Sequence, residues 1–278
     1  KKGAGSIILK GLVLLSIAFT VIMLLLVVGH ILINGIPTLI SRAGDLFAIN
    51  YTTQNQSMMP AIWNTILMIL ITVGISVPIG VATAIYMVEY AKPGNKFVKV
   101  TRLMTETLQG IPSIIFGLFG MLFFSNALGW GTHIMSGSMT MVLMCLPLII
   151  RATEEALLAV PNKLREASYG LGARRLRTVF NIVLPAASMG IFAGIILAIG
   201  RVVGETAALI YTAGSMAQYA TPMMNGRTLA IHMYMLSTEG IHVPEAYATG
   251  VILILVVVII NAISNRIEQE MKKREQGE

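Results

Sequence analysis

Six long apolar runs separated by short polar segments dominate the hydrophobic pattern of the chain. They cover approximately residues 11–33, 61–88, 103–126, 134–151, 186–213 and 246–265. A helix needs about 20 apolar residues to cross the hydrocarbon core of a bilayer, and backbone in that core must satisfy its own hydrogen bonds. The pattern therefore predicts an all-α membrane protein with six transmembrane helices. Pro78, Pro112 and Pro147 lie inside or near the starts of the second, third and fourth runs and predict a kink or break in each.

The composition agrees with a membrane-embedded fold. Of the residues, 55% are hydrophobic and 12% are charged, which is about half the charged share of a typical soluble domain. A solvated globular enzyme and a disordered chain both need more polar surface, so both classes are excluded. The single cysteine, Cys145, lies in the fourth run, and no Cys/His spacing resembles a metal site. We expect an inert buried thiol.

The placement of basic residues predicts the orientation of the helices. The net charge of +7 alone would also fit a nucleic-acid-binding protein, but nearly all Lys and Arg residues fall in four segments. These segments precede the first run, separate runs two and three and runs four and five, and follow run six. The opposite side carries only Arg42 and Arg227. By the positive-inside rule the basic side, with both termini, is cytoplasmic, and we expect no nucleic-acid partner.

The cytoplasmic loop between the fourth and fifth runs predicts a helical hairpin. Pro161 ends the preceding helix, Asn162 is placed to cap the next one, and Gly170 and Gly172 interrupt it. A second amphipathic piece follows and is expected to stop at Leu184-Pro185. Such a hairpin is either a docking element for a cytoplasmic partner or an ordinary amphipathic hairpin at the membrane surface.

The spacing of seven residues in this hairpin is typical of one transporter family. Glu166-Ala167-Ser168, then Gly172, Ile182 and Leu184-Pro185, resembles the pattern E-A-A-x3-G-x9-I-x-L-P of the EAA loop in binding-protein-dependent ABC importer permeases. Only Ser168 departs from it, as one small residue for another. The resemblance implies that the loop, residues 152–185, couples the chain to a groove of a cytoplasmic ATPase subunit. Glu166 would make polar contacts in that groove, and Gly172 would permit the turn.

Nucleotide chemistry is expected in a partner chain. The sequence has no G-x4-G-K-[ST] loop, because Gly is never followed by Lys. We therefore expect that this chain is not an enzyme and has no cofactor of its own, with ATP and Mg bound by the ATPase subunits.

Two opposite charges lie inside the fifth run. Inserting Arg201 into a bilayer centre costs about 2.5–3.5 kcal/mol, and Glu205 would follow about 6 Å along a continuous helix. They form either a structural ion pair or part of a water-filled path for an anion. The planar Arg fork suits oxyanions, and Glu205 would keep the free site from trapping them. Two small-xxx-small pairs in the same run, Gly190 with Gly194 and Gly200 with Gly204, are typical of helix packing.

Three further stretches narrow the resemblance. Gly110–Gly117, Ile150–Pro161 and Gly200–Gly214 resemble phosphate-specific ABC permeases, in particular the A-type (PstA-like) subunit. The resemblance implies a type I ABC importer (MetI-like) core with Arg201, Glu205 and Ser113 on the substrate pathway. It also implies that the chain lies in the lipid of a bacterial cell membrane and has three kinds of protein partner: a pair of cytoplasmic ATPase subunits, a homologous C-type phosphate permease and an external phosphate-binding protein.

The interpretation divides the chain into three parts and leaves rival functions open. Residues 1–60 form the first helix and external loop, 61–266 form a five-helix permease core, and 267–278 form a cytoplasmic tail. The rivals are a sulfate or molybdate permease, a secondary transporter driven by an ion gradient, and a membrane sensor or scaffold that transports nothing.

Overall fold

The computed structural model describes residues 4–276, and this part of the chain is helical with no β-strand. Twelve α-helices are interrupted or extended by three π-helical turns, at Tyr86–Tyr90, Met121–Ala127 and Val179–Val183. The helices are α1 Ala4–Ser41, α2 Ala43–Leu46, α3 Met59–Ile85, α4 Lys96–Gln109, α5 Ser113–Gly120, α6 Ile134–Ala159, α7 Asn162–Gly170, α8 Arg175–Thr178, α9 Leu184–Gly204, α10 Ala207–Thr212, α11 Leu229–Glu239 and α12 Val243–Gln276.

Five of these segments are long and apolar enough to cross a membrane as continuous helices. They are Leu9–Ser41, Met59–Tyr90, Ile134–Ala159, Arg175–Gly204 and Val243–Ile267. Lys96–Gln109 and Ser113–Ala127 meet at a bend of 105° and form either a broken sixth span or a re-entrant loop. The predicted all-α membrane fold with up to six spans is confirmed, and the cytoplasmic position of the termini stays a prediction.

The third apolar run is not one helix. Residues 103–109 belong to α4, an amphipathic helix capped by Asn95, whose Oδ1 accepts from the backbone N–H of Phe97 at 2.8 Å. The chain breaks at Gly110–Pro112 and resumes as α5 at Ser113. Pro112 has no N–H and takes φ −57° and ψ 141°, an extended conformation. The break that Pro112 predicts is confirmed, but the predicted start of the run is too early.

The junction before the fifth span is continuous, so the predicted stop at Leu184-Pro185 is wrong. α8 runs through the π turn Val179–Val183 directly into α9. A proline ring clashes with the carbonyl one α-helical turn earlier. The wider π turn immediately before Pro185 relieves that clash and lets the helix continue.

The core of the bundle is formed where α3, α6 and α9 pack together. Met68, Met144, Cys145, Ala198 and Val202 are almost completely buried there. Cys145 Sγ lies 4.0 Å from the carbonyl oxygen of Ala198, and the expected buried thiol is confirmed.

The first helix lies outside this bundle. The side chains of its apolar stretch are exposed, as expected for a lipid-facing helix. It is tied to α12 by an ion pair between Arg42 and Glu245 and by a 3.1 Å hydrogen bond between His30 and Tyr247.

The two small-residue pairs of the fifth run behave differently. A Cβ added at Gly190 would lie 2.6 Å from the Cβ of Ala156, and one at Gly194 would lie 2.5 Å from the Cβ of Ala152. Gly200 and Gly204 have open space at the same position among the described atoms. The first pair brings α9 against α6 as predicted, whereas the second pair packs against nothing in the described part of this chain.

We therefore expect Gly194→Val to destabilise the protein and Gly200→Val to be tolerated. The added side chain at residue 194 overpacks the α6–α9 contact, which typically costs about 1–3 kcal/mol. Thermal unfolding of the detergent-purified chain measures both variants against the wild type. Equal melting temperatures for the two variants would contradict this account of the interface.

Candidate translocation site and coupling loop

Arg201 lies in the last turn of α9, where the fifth span ends early. The preceding turn of α9 touches the middle of α6, since Ala198 contacts Cys145. Arg201 is half-buried, and among the side chains that the structure describes no carboxylate lies at ion-pair distance from it. The negative end of the α9 dipole lies beside it instead. The positive charge of Arg201 is therefore compensated by the C-terminal end of α9, and its N–H groups remain available to another acceptor.

Glu205 does not continue the helix, so the predicted i, i+4 geometry with Arg201 is wrong. The backbone of Glu205 is extended, with φ −74° and ψ 128°. Its Oε1 accepts a 3.1 Å hydrogen bond from the backbone N–H of Ala208, in the first turn of α10. The carboxylate thus caps the positive end of the next helix. Each charge is therefore compensated by a helix terminus, and the geometry does not support a structural ion pair between Arg201 and Glu205.

The break between α9 and α10 lies within the apolar part of the bundle. Irregular backbone at membrane depth occurs where protein buries it or where it lines a water-filled cavity. Glu205 and Thr206 are half-buried, and Gly204 is exposed. A helix interrupted in this way is common at the binding sites of membrane transporters.

The third predicted pathway residue, Ser113, opens the helix that packs against α10. Gly117 of α5 lies against the backbone of Ala208, so closely that a Cβ at Gly117 would be 2.7 Å from the Ala208 Cα. Ser113 is the first residue of α5 and is half-buried. In the described part of the chain no hydrogen bond joins Ser113 to Arg201 or Glu205. The structure thus places the two helix breaks on neighbouring elements without a direct contact between the residues.

The predicted cytoplasmic hairpin is present as α7 and α8. Gly172 forms the turn between them with φ +81°, a left-handed conformation suited to glycine. Its N–H donates to the carbonyl of Tyr169 at 2.9 Å, and the next N–H, of Ala173, donates to Ser168 at 3.1 Å. The Ser168 hydroxyl shares a 2.8 Å hydrogen bond with that of Thr178. Ser168 therefore links α7 to α8 on the inner side of the hairpin.

The outer face of this hairpin is open to solvent and partly apolar. Glu166 and Ala167 are exposed, as is Pro185, while Leu184 is half-buried. Leu171 is 90% exposed at the tip of the loop. Leu176 and Phe180 are also exposed on the second helical piece. Exposed apolar side chains beside charged ones are typical of a surface that binds a protein or lies against a membrane.

Sequence reasoning missed two ion pairs that bridge helices at the end of the bundle that carries the hairpin. Arg165 of the hairpin pairs with Glu89 in the π turn after α3 at 2.7 Å. Arg102 of α4 pairs with Glu154 of α6, with Nε 2.7 Å from Oε1. Glu89 and Glu154 each lie shortly after an apolar run. A charged residue in that position was the sequence signal that could have indicated an ion pair.

A buried polar cluster lies at the end of the bundle opposite the hairpin. His232 of α11 is completely buried, and the Arg227 side chain is 5% exposed and stacks over the ring of Tyr51 with its Cζ 4.9 Å from the centroid. Burial, reinforced by the positive charge of Arg227 and opposed by the backbone of Gln56, lowers the pKa of His232 to about 3. His232 is therefore neutral in the folded protein at neutral pH.

This depressed pKa predicts loss of stability in acid. As the pH falls below 6.5, the unfolded chain protonates His232 while the folded chain does not, so unfolding becomes easier by up to about 1.4 kcal/mol per pH unit. The effect ends near the folded pKa. We expect His232→Gln to flatten the dependence of the melting temperature on pH between 4.5 and 6.5. Parallel curves for the variant and the wild type would contradict this.

Comparison with known protein families identifies the family of this helical bundle. Residues 76–273 match the family of binding-protein-dependent transport system inner membrane components. The chain belongs to this family. The matched residues begin within α3 and include α4 to α11 and most of α12, and therefore both helix breaks and the hairpin. As the membrane component of an ABC importer, the permease works with ATPase subunits and a substrate-binding protein in a bacterial plasma membrane.

Individual relatives agree with this assignment. The permease is 35% identical over 256 residues to the probable ABC transporter permease protein YqgI of Bacillus subtilis, covering 84% of this chain and 83% of the relative. It is 34% identical over 205 residues to the phosphate transport system permease protein PstA 1 of Mycobacterium tuberculosis, covering 72% and 67%. It is 31% identical over 212 residues to the Haemophilus influenzae protein PstA, covering 74% and 72%.

Solved structures show the same fold at low sequence identity. A chain of the inward-facing MetNI methionine ABC transporter matches with a TM-score of 0.64 at 21% identity, over 76% of the permease and 94% of that chain. A chain of a bacterial alginate ABC transporter matches with a TM-score of 0.66 at 16% identity, over 98% and 99%. These likenesses establish the predicted MetI-like, type I architecture.

Proposed function

We propose that this chain is the transmembrane permease subunit of an ATP-driven importer of inorganic phosphate. The observation that carries the proposal is Arg201, a guanidinium without a described carboxylate partner at a helix break inside the bundle. An Arg fork donates two parallel hydrogen bonds to the oxygens of an oxyanion. The relatives named as phosphate permeases support phosphate as that anion.

Arg201 and Glu205 have complementary roles in this proposal. Arg201 would meet phosphate on the pathway while the C-terminal end of α9 limits its excess positive charge. Glu205, held by the Ala208 N–H, would keep the empty site near neutral, so that the anion binds weakly enough to leave again. Ser113, at the break before α5, would line the same pathway.

The hairpin supplies the link to ATP. Residues Glu166, Ala167, Ser168, Gly172, Leu184 and Pro185 would form or support the surface that docks on one ATPase subunit. Closure of the ATPase pair would move this surface and switch the core between outward and inward access. A homologous C-type permease would complete the pathway, and an external phosphate-binding protein would deliver the substrate. ATP and Mg would be bound by the ATPase subunits and not by this chain, for which we propose no catalysis.

Uptake of radiolabelled phosphate into vesicles tests the function. Vesicles that carry both permeases and the ATPase should accumulate phosphate only with ATP and loaded binding protein, and vesicles without the ATPase should not. Excess sulfate or molybdate should not compete. Uptake that collapses with an uncoupler while ATP persists would instead show a gradient-driven transporter, and preferential uptake of sulfate or molybdate would reassign the substrate.

A further inference from the structure

We infer that the ion pair between Arg165 and Glu89 is the joint that transmits movement of the coupling hairpin to α3 and α6. The inference rests on the proposed coupling role of the hairpin and adds two positioning residues to it. Arg165 lies on α7, and Glu89 lies in the π turn that follows α3. The pair therefore spans the boundary between the hairpin and the membrane bundle.

One guanidinium connects three segments of the chain. Its Nε and Nη2 donate to Glu89 Oε1 at 3.1 and 2.7 Å. Nη2 also donates to the carbonyl of Leu157 at 2.8 Å, and Nη1 donates to the carbonyl of Val160 at 2.7 Å. Leu157 and Val160 are at the C-terminal end of α6, where carbonyls lack the usual partner four residues later, although the Leu157 carbonyl also accepts from the N–H of Val160 at 3.4 Å. Arg165 therefore caps α6 and holds the end of α3 at the same time.

Burial makes this contact strong and specific. The side chains of Arg165 and Glu89 are 13% and 4% exposed. An isolated buried charge is costly, so removing one partner of a buried pair is far more disruptive than removing one partner of an exposed pair. The exposed pair Arg151–Glu155, at 51% and 67%, lies within α6 alone and provides the matched contrast.

Few other contacts tie α7 to the bundle. Within the described chain, its remaining side-chain hydrogen bonds stay inside the hairpin or its own first turn, as Ser168 with Thr178 and Asn162 with Arg165. The second bridge to the end of α3 is Arg175 over the ring of Tyr90, at 5.6 Å and on the surface. A displacement of α7 by a docked partner therefore reaches α6 through the chain connection at Val160–Pro161 and reaches the end of α3 directly through Arg165.

The packing of α3, α6 and α9 indicates which part of the bundle such a movement would reach. α3 and α6 pack along each other through the core cluster, and α6 contacts α9 at Cys145 and Ala198, one turn from Arg201. Packed helices move as rigid units with discrete arrangements. Tilting the hairpin-side ends of α3 and α6 together would thus shift the α6–α9 contact that lies one turn from Arg201.

The test uses the assembled importer with Glu89→Gln and Arg165→Lys, and with Glu155→Gln as the matched control. We expect both joint variants to copurify with the ATPase and keep basal ATP hydrolysis, while phosphate uptake per ATP falls by about tenfold. Glu155→Gln should match the wild type. Arg165→Lys keeps the buried positive charge. If the Glu89→Gln variant fails to assemble, uptake per ATP is therefore measured on Arg165→Lys alone.

A distance measurement separates a joint from a merely structural pair. Cys145 is the single cysteine, so a Cys145→Ser background allows spin labels at Ala82 on α3 and Lys163 on α7. In the wild type the distance between the labels should be the same with and without bound ATP, because the segments move together. In the joint variants the distance should change when ATP binds.

Two results would overturn the joint. One is uptake per ATP within about twofold of the wild type in both joint variants, and the other is an unchanged label distance in the variants with ATP bound. A wild-type chain that fails to bind the ATPase would instead refute the proposed coupling role. Transport of another anion by the wild type would refute the proposed substrate and leave the joint testable with that anion.

Discussion

Arg201→Gln is expected to abolish phosphate uptake while the permease is still expressed and still binds its ATPase. The substitution removes the guanidinium fork from the break between α9 and α10, where it has no described carboxylate partner. The cost to folding should be small, because losing a partly buried cation removes its desolvation penalty. Glu205 keeps its hydrogen bond from Ala208 in either case. Uptake in reconstituted vesicles, with quantified complex, measures the effect.

Arg201→Lys separates a substrate role from a structural one. Lys keeps the positive charge beside the C-terminal end of α9, so a purely structural role predicts near-normal uptake. A point charge loses the two parallel hydrogen bonds to an oxyanion, so the pathway role predicts near-complete loss. Near-normal uptake by Arg201→Lys would refute the substrate role.

A charge reversal adds a second check. Exchanging the two charges, with Glu at 201 and Arg at 205, would restore function if mutual neutralisation were all that mattered. The structure gives each charge its own helix end, so the exchange places both charges at the wrong ends. We expect the double variant to transport poorly, and near-normal uptake would contradict the assigned roles.

The spans were predictable from sequence because each apolar run carries its own signal. Membrane helices satisfy their hydrogen bonds locally, so composition alone finds them. Pro112 likewise predicted the break in the third run, since a missing N–H acts at its own position. The same rule, that proline ends a helix, gave a wrong prediction at Pro185, because the five-residue π turn before it accommodates the proline ring and the helix continues.

The break at Glu205 could not be predicted from periodicity. Residues 186–213 are apolar enough for one helix, and a strict i, i+4 spacing with Arg201 favours a pair. The capping contact from Ala208 to Glu205 and the packing of α10 against α5 both favour the break, and neither is visible in the spacing of apolar residues. The EAA spacing predicted the hairpin and Gly172, but Arg165 and Glu89 are 76 positions apart. Pairings at that separation depend on tertiary structure.

Gly172→Pro or Glu166→Lys is expected to leave the permease in the membrane and uncouple it from ATP hydrolysis. Gly172 has φ +81°, whereas proline is fixed near −65°, so the turn between α7 and α8 must rebuild. The substitution also removes the N–H that donates to Tyr169. Glu166 is exposed and makes no side-chain hydrogen bond in the described part of the chain. Its charge reversal should therefore act on a partner and not on the fold.

Gly170→Ala is the matched control for the turn. Gly170 ends α7 without a positive φ, and the position that an alanine methyl group would take is open space, so alanine should be tolerated there and slightly favour the helix. Copurification with the ATPase and hydrolysis stimulated by phosphate-loaded binding protein measure coupling in all three variants. Loss is expected for Gly172→Pro and Glu166→Lys, and retention for Gly170→Ala. If Gly172→Pro or Glu166→Lys still copurified and kept stimulated hydrolysis, the docking role of the hairpin would be wrong, because a rebuilt turn or a reversed charge on its exposed face could not leave a docked surface unchanged.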